Sequence, residues 1–91
     1  MHFEWDAGKS RANRVKRRVT FEEAMSCFYD PMQIAFDDPD HSDSEGRELL
    51  VGRSIRQRLL IVCYTIRGQR VRIISAHRTT RAEAGAYAQR I

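Results

Sequence analysis

No apolar stretch in this 91-residue chain approaches the roughly 18 residues of a membrane span, which argues against a spanning segment. The opening, Met1-His2-Phe3-Glu4-Trp5-Asp6, lacks a basic start followed by an apolar stretch, which argues against a secretory leader. Repeats, linkers and low-complexity tracts are missing, and the length leaves room for one small core, so one domain over 1–91 is expected. Cysteine is scarce: Cys27 and Cys63 lie 36 positions apart, without zinc-ligand or redox spacing. Each has apolar neighbours, so two buried thiols in a reducing compartment, the cytoplasm, are expected. Lysine is scarce too, at two against 14 arginines.

That imbalance has chemical content. Arginine makes planar, bidentate contacts to phosphate and stacks on bases, and lysine does neither as well. The net charge of +4 also hides an asymmetry. Residues 37–48 carry six acidic groups against Arg47 alone, whereas residues 49–91 carry nine arginines against Glu83 alone, a net of +8. Clustered arginine makes the chain a candidate for nucleic-acid contact; a solvated arginine surface is the plain alternative.

Residues 3–5 read as a short strand. Asp6 is placed to cap a helix over 7–17, with Ala12 and Val15 inward and Lys9, Arg11, Arg14, Lys16 and Arg17 outward. Thr20 and Glu23 form a capping box, and Phe21, Ala24, Met25 and Phe28 recur on one helical face until Pro31. Strands are expected at 33–36, 49–52, 59–66 and 70–76, with an exposed acidic turn at 37–46 and a tight turn at 67–69. The run 59–66 is continuously apolar and suits a central strand. Along the last strand, Arg70 and Arg72 point one way, Val71 and Ile73 the other. Thr80 and Glu83 form a second capping box that opens a short final helix, docked by Tyr87 and Ile91. The expected class is α+β: a short strand, two helices, an antiparallel sheet of about four to five strands and a short C-terminal helix.

Several segments resemble the BrnT toxins. They are Phe3-Glu4-Trp5-Asp6 with Lys9, Asn13 and Lys16; Val19-Thr20-Phe21-Glu22-Glu23-Ala24 followed by Phe28 and Asp30-Pro31; His41-Ser42 with Glu45, Arg47 and Gly52; and Arg72-Ile73-Ile74-Ser75-Ala76 with Thr80, Glu83 and Tyr87. The resemblance covers nearly the whole chain in order and spacing. It implies a RelE-like fold, metal-independent RNA cleavage with arrest of translation, and a type II toxin–antitoxin system. The implied partner is a BrnA antitoxin with a ribbon-helix-helix domain, and operator DNA would be bound only through the toxin–antitoxin complex. The chain departs from the family at His77, where arginine is usual, and at Ala84, which follows Glu83 where arginine is usual.

RNA carries its own nucleophile, the 2′-hydroxyl. Cleavage needs proton transfer and positive charge on the phosphate, and arginines can supply that charge without a metal or other cofactor. The candidate catalytic residues are Arg72 on the last strand, His77, Arg78 and Arg81 between that strand and the final helix, Arg47 before an earlier strand, and Tyr87. Histidine titrates near neutral pH and can carry a proton. Arg81 sits in the first turn of a helix, where its charge opposes the dipole. Tyr87 could stack on a base, or simply pack its helix on the sheet. His41, within Asp37-Asp38-Pro39-Asp40-His41-Ser42-Asp43, lacks the spacing of a calcium loop and reads as part of an acidic turn. The alternative to an enzyme is a non-catalytic nucleic-acid-binding or complex-forming module of the same fold.

Overall fold

Alternation along the second half of the chain builds a sheet, and helical periodicity in the first half builds its cover. A computed structural model describes residues 1–38 and 46–89. In chain order the elements are β1 (His2–Glu4), α1 (Ala7–Arg17), α2 (Phe21–Ser26), a 3₁₀ turn over Cys27–Tyr29, β2 (Ile34–Asp37), β3 (Glu48–Arg53), β4 (Leu59–Arg67), β5 (Arg70–Arg78) and α3 (Arg81–Ala88). The five strands lie in the order β1-β5-β4-β3-β2. β2 to β5 form an antiparallel meander, and β1 joins β5 in parallel, so the sheet is mixed. The apolar run of β4 takes the centre, as its composition requires.

α1 and α2 cover one face. Val19, Phe21, Ala24 and Cys27 pack there on Leu50, Leu60, Val62, Val71 and Ile73. Phe21 and Ala24 are fully buried, with Met25 and Phe28 partly buried beside them, so the helical stripe read from the sequence faces the core. Gly52 lets β3 approach the 3₁₀ turn: a Cβ there would meet the Cys27 carbonyl oxygen at 2.9 Å. Gly68, at φ +61°, opens the two-residue loop between β4 and β5, the slot where such loops need glycine.

α1 departs from expectation. Asp6 caps it, its carboxylate accepting from the Lys9 N–H at 2.9 Å. Ala12 and Val15, however, are exposed, Val15 at 72%. Asn13 is the buried residue of this helix. Its side-chain amide accepts from the Ala76 N–H (3.1 Å) and donates to the Ala76 carbonyl (2.9 Å) and the Val19 carbonyl (2.8 Å). β1 pairs with β5 only as far as Arg72, so the outer edge of β5 beyond it needs another partner. Asn13 supplies one, and α1 is anchored by an amide instead of an apolar stripe.

The box read at Thr20 and Glu23 is half formed. Thr20 accepts from the Glu23 N–H, but the Glu23 carboxylate does not turn back to the cap. It is buried and bonds to the Ser54 hydroxyl (2.7 Å) and the Arg58 guanidinium (Nε at 2.9 Å). The Arg58 hydrogen bond holds Glu23 below the usual carboxylate range, against the opposing effect of burial. The second box is complete: Thr80 and Glu83 exchange both bonds.

β2 begins one residue later than expected and extends through Asp37. Asp38 is buried, its N–H donating to the Arg47 carbonyl, so the acidic segment does not leave the sheet as an exposed turn at 37. Residues 39–45, with His41, and Ile91 lie outside the described residues.

Candidate active site

The β4–β5 ladder contains an irregularity that decides the face of each candidate residue. Cys63 pairs with Ser75, but Tyr64 pairs with Ile73, leaving Ile74 as an extra residue in β5. A bulge of this kind shifts the side-chain alternation by one. Val71 and Ile73 face the helices, and so does Ala76 beyond the bulge. Arg70 and Arg72 face the other way, and the bulge brings Ser75 and His77 onto their side.

That second face is covered by α3 at one end only. Tyr87 packs there on Val51 and Ile61, with Met32, Ile34, Leu49 and Leu59 around them. Beside this patch lies an open pocket of about 390 Å³. Leu49, Ile61, Cys63, Ser75 and His77 line it from the strands. Asp38 and Arg47 enter from the β2–β3 end, Arg17 from the end of α1, and Glu83 from the first turn of α3.

Within the pocket, the His77 Nδ1 lies 2.8 Å from the Arg78 carbonyl oxygen. A carbonyl only accepts, so Nδ1 carries a hydrogen here, which in the neutral ring puts the lone pair on Nε2. One Glu83 oxygen accepts from the Thr80 N–H at 2.7 Å, which holds its carboxylate at the helix start. Burial pushes the Cys63 thiol up, and the Asp38 carboxylate adds to this against weaker opposition from Arg47 and Ser75. Cys63 therefore stays protonated near neutral pH and lines the pocket as a thiol.

Of the residues named from the sequence, Arg47 and His77 line this pocket. Arg72 shares the face, on the strand next to Thr65, and is ion-paired with Glu4 at 3.0 Å. Glu4 also takes Arg70 at 3.3 Å, and the Arg72 hydrogen bond leads in holding its carboxyl below the usual range. Arg78 lies on the helix-covered face, at the exposed end of β5 opposite Leu60. Arg81 is exposed in the first turn of α3 and does not line the pocket. Tyr87 is 5% exposed, and its hydroxyl donates to Asp30 at 2.8 Å. Asp30 also accepts the N–H groups of Arg53 (2.7 Å) and Met32 (2.9 Å). Burial and this carboxylate both push the Tyr87 hydroxyl up. Its ring and hydroxyl are engaged in docking α3, not turned toward solvent.

Sequence reasoning did not single out Asp38, Cys63 or Ser75 for this site. Asp38 was one carboxylate among six, Cys63 one member of an apolar run, and Ser75 depends on the bulge. Arg17 was legible only as part of a basic helix.

Among the described residues no helix is long and apolar enough to cross a membrane. The sequence pattern of a family described as "Ribonuclease toxin, BrnT, of type II toxin-antitoxin system" matches residues 5–83. No curated protein matches the chain. In three dimensions the chain is similar to the crystal structure of the Brucella abortus ribonuclease toxin, BrnT, with a TM-score of 0.61. The two are 20% identical over 89% of this chain and 99% of that one, a likeness that speaks for the shared α+β fold. With a family pattern running from the end of β1 into α3, over a fold and a pocket built from the same segments, the chain belongs to the BrnT family of type II toxin–antitoxin ribonuclease toxins.

Proposed function

We propose that this protein is a metal-independent endoribonuclease that cleaves RNA in the cytoplasm and thereby arrests translation. Its partner is a BrnA-like ribbon-helix-helix antitoxin, and operator DNA is bound only through their complex. The observation that carries the reading is the meeting of Arg17, Arg47 and His77 in one open pocket, on the sheet face that also holds Arg72.

In this reading the scissile phosphate sits between Arg47 and Arg17, whose guanidinium groups oppose the charge that builds on its oxygens. Fixed donors aimed at developing charge can be the largest catalytic term. The His77 Nε2 takes the proton of the 2′-hydroxyl. The 2′-oxygen attacks phosphorus, the bond to the 5′-oxygen breaks, and that oxygen takes up a proton. Arg72, held by Glu4, adds positive potential along the same face. Arg78 and Arg81 stand outside the pocket and serve the approach of RNA, while Tyr87 acts by fixing α3 and thus Glu83.

The test is incubation of the purified chain with RNA in EDTA. We expect cleavage, and a fall of at least about tenfold in His77→Ala at neutral pH, within the usual range for proton transfer. RNA affinity should barely change. Undiminished cleavage by His77→Ala removes the histidine from the chemistry. Absence of cleavage by folded wild type leaves the non-catalytic module as the better reading.

A further inference from the structure

A second hollow, lined by arginines and by no carboxylate, adjoins the pocket along the chain at Arg17 and Arg18. It is a cleft of about 690 Å³ lined by Arg14, Val15, Arg18, Thr20, Arg56 and Arg58. Its four arginines come from the C-terminal end of α1 and from the connection between β3 and β4. Arg58 is structural: it is paired with buried Glu23 and donates to the Arg18 carbonyl at 2.9 Å. The other three differ. Among the described residues, no carboxylate forms an ion pair with Arg14, Arg18 or Arg56.

Three features give this cleft a direction. Arg18, in its lining, directly follows Arg17, in the lining of the catalytic pocket. Arg18 adopts the left-handed conformation, φ 61°, and caps the C-terminal end of α1. On the sheet side, the strand that carries His77 runs on through Arg78, which pairs with Leu60, and the Thr79 N–H donates to the Leu59 carbonyl at 3.2 Å. Leu59 is the next residue after Arg58. An arginine path therefore leads from the pocket, past Arg17 and Arg78, to Arg14, Arg18 and Arg56.

We infer that this cleft is a backbone subsite for single-stranded RNA, holding phosphates beyond the one cleaved in the pocket. The inference rests on the ribonuclease reading above. Unpaired guanidinium groups in a groove are donors for phosphate oxygens, and each can bind bidentately. A positively charged groove that tracks the backbone is how single-strand binders hold phosphates, and exposed Val15 adds apolar surface beside it. Continuity with the pocket favours one extended strand over a separate protein ligand.

The test compares wild type with an Arg14→Ala/Arg56→Ala double variant. Both side chains are exposed, so thermal stability should be unchanged. For cleavage of a longer oligoribonucleotide, KM should rise about tenfold or more, whereas kcat and the cleavage of a trinucleotide that reaches only the pocket should hold. Binding of a 2′-O-methyl oligonucleotide, which cannot be cleaved, should lose about 0.7 of salt slope per phosphate contact removed. That second measurement stands apart from catalysis. If wild type binds but does not cleave, and the variant still lowers the slope, the cleft survives and the ribonuclease reading fails. Equal effects on long and short substrates, or an unchanged salt slope, overturn the subsite. So does a variant that binds RNA normally and loses affinity for the antitoxin alone, because the cleft then belongs to the partner.

Discussion

The two faces of the sheet are built from the same five strands and do opposite work. The helix-covered face is closed over by α1 and α2, and its large side chains, Phe21, Leu50, Leu60 and Ile73, are at most 1% exposed. The other face is capped by α3 at one end and open at the other, where Arg47, Asp38, His77 and Glu83 meet. Each face also carries a carboxylate held by arginine. Glu23 is buried against Arg58, with 3% of its side chain exposed, whereas Glu4 lies between Arg70 and Arg72 with 26% exposed. A pair out of water cannot lose one member cheaply, while one in contact with water is screened. The closed face therefore provides stability, and the ion pairs of Glu4 on the open face stay in contact with solvent.

Breaking that division begins on the closed face. Phe21→Ala removes a fully buried ring beside Trp5 and should lower unfolding stability by about 3–5 kcal/mol, measured by urea denaturation. The molecules that remain folded should cleave RNA at the wild-type rate. A large loss of activity per folded molecule would show that the faces are not separable.

The converse change is Arg47→Ala on the open face. Loss of one donor to the developing charge should lower kcat by about 10²–10³. The melting temperature should stay close to wild type. A cleavage rate within a factor of two of wild type, roughly what a surface change gives, would leave Arg17 and Arg72 to carry the phosphate.

The smallest effect concerns the two carboxylates and acid. Glu23 titrates below its ordinary value of 4.5 when folded. Its contribution to stability is thus present above that value and is lost as pH falls through the lower, folded one. Glu23→Gln should flatten the acid limb of the stability curve measured across about pH 3 to pH 7. Glu4→Gln should flatten it far less, because its pair is open to solvent. Equal flattening by both would erase the distinction between the faces.

Much of the architecture was legible from local rules. The Phe21, Ala24, Met25, Phe28 stripe, the box at Thr80 and Glu83, the glycine at the β4–β5 turn and the apolar run of β4 are each decided within a few residues. Those rules failed where a distant group outbid the local one. Glu23 has the spacing of a capping residue, but Arg58, 35 positions later, takes its carboxylate. Val15 has the spacing of an inward residue, but Asn13 anchors the helix through Ala76, 63 positions away. Tyr87 has the chemistry to meet a base, but Asp30, 57 positions before it, receives the hydroxyl.

The sequence by itself determined the α+β class, the strand order along the chain, the arginine-rich second half and the likeness to the BrnT family, because composition and short-range periodicity carry those. It also placed Arg47 and His77 among the candidates. Only the tertiary structure decided that they share a pocket. Strict alternation from Arg72 would put Ile74, Ala76 and Arg78 on its face and send His77 to the helices. The extra residue at Ile74 shifts the pleat by one, so that Ala76 closes the core and His77 opens beside Arg47. A bulge is set by how two strands pair, and pairing between β4 and β5 is a property of the folded sheet, not of either strand read alone.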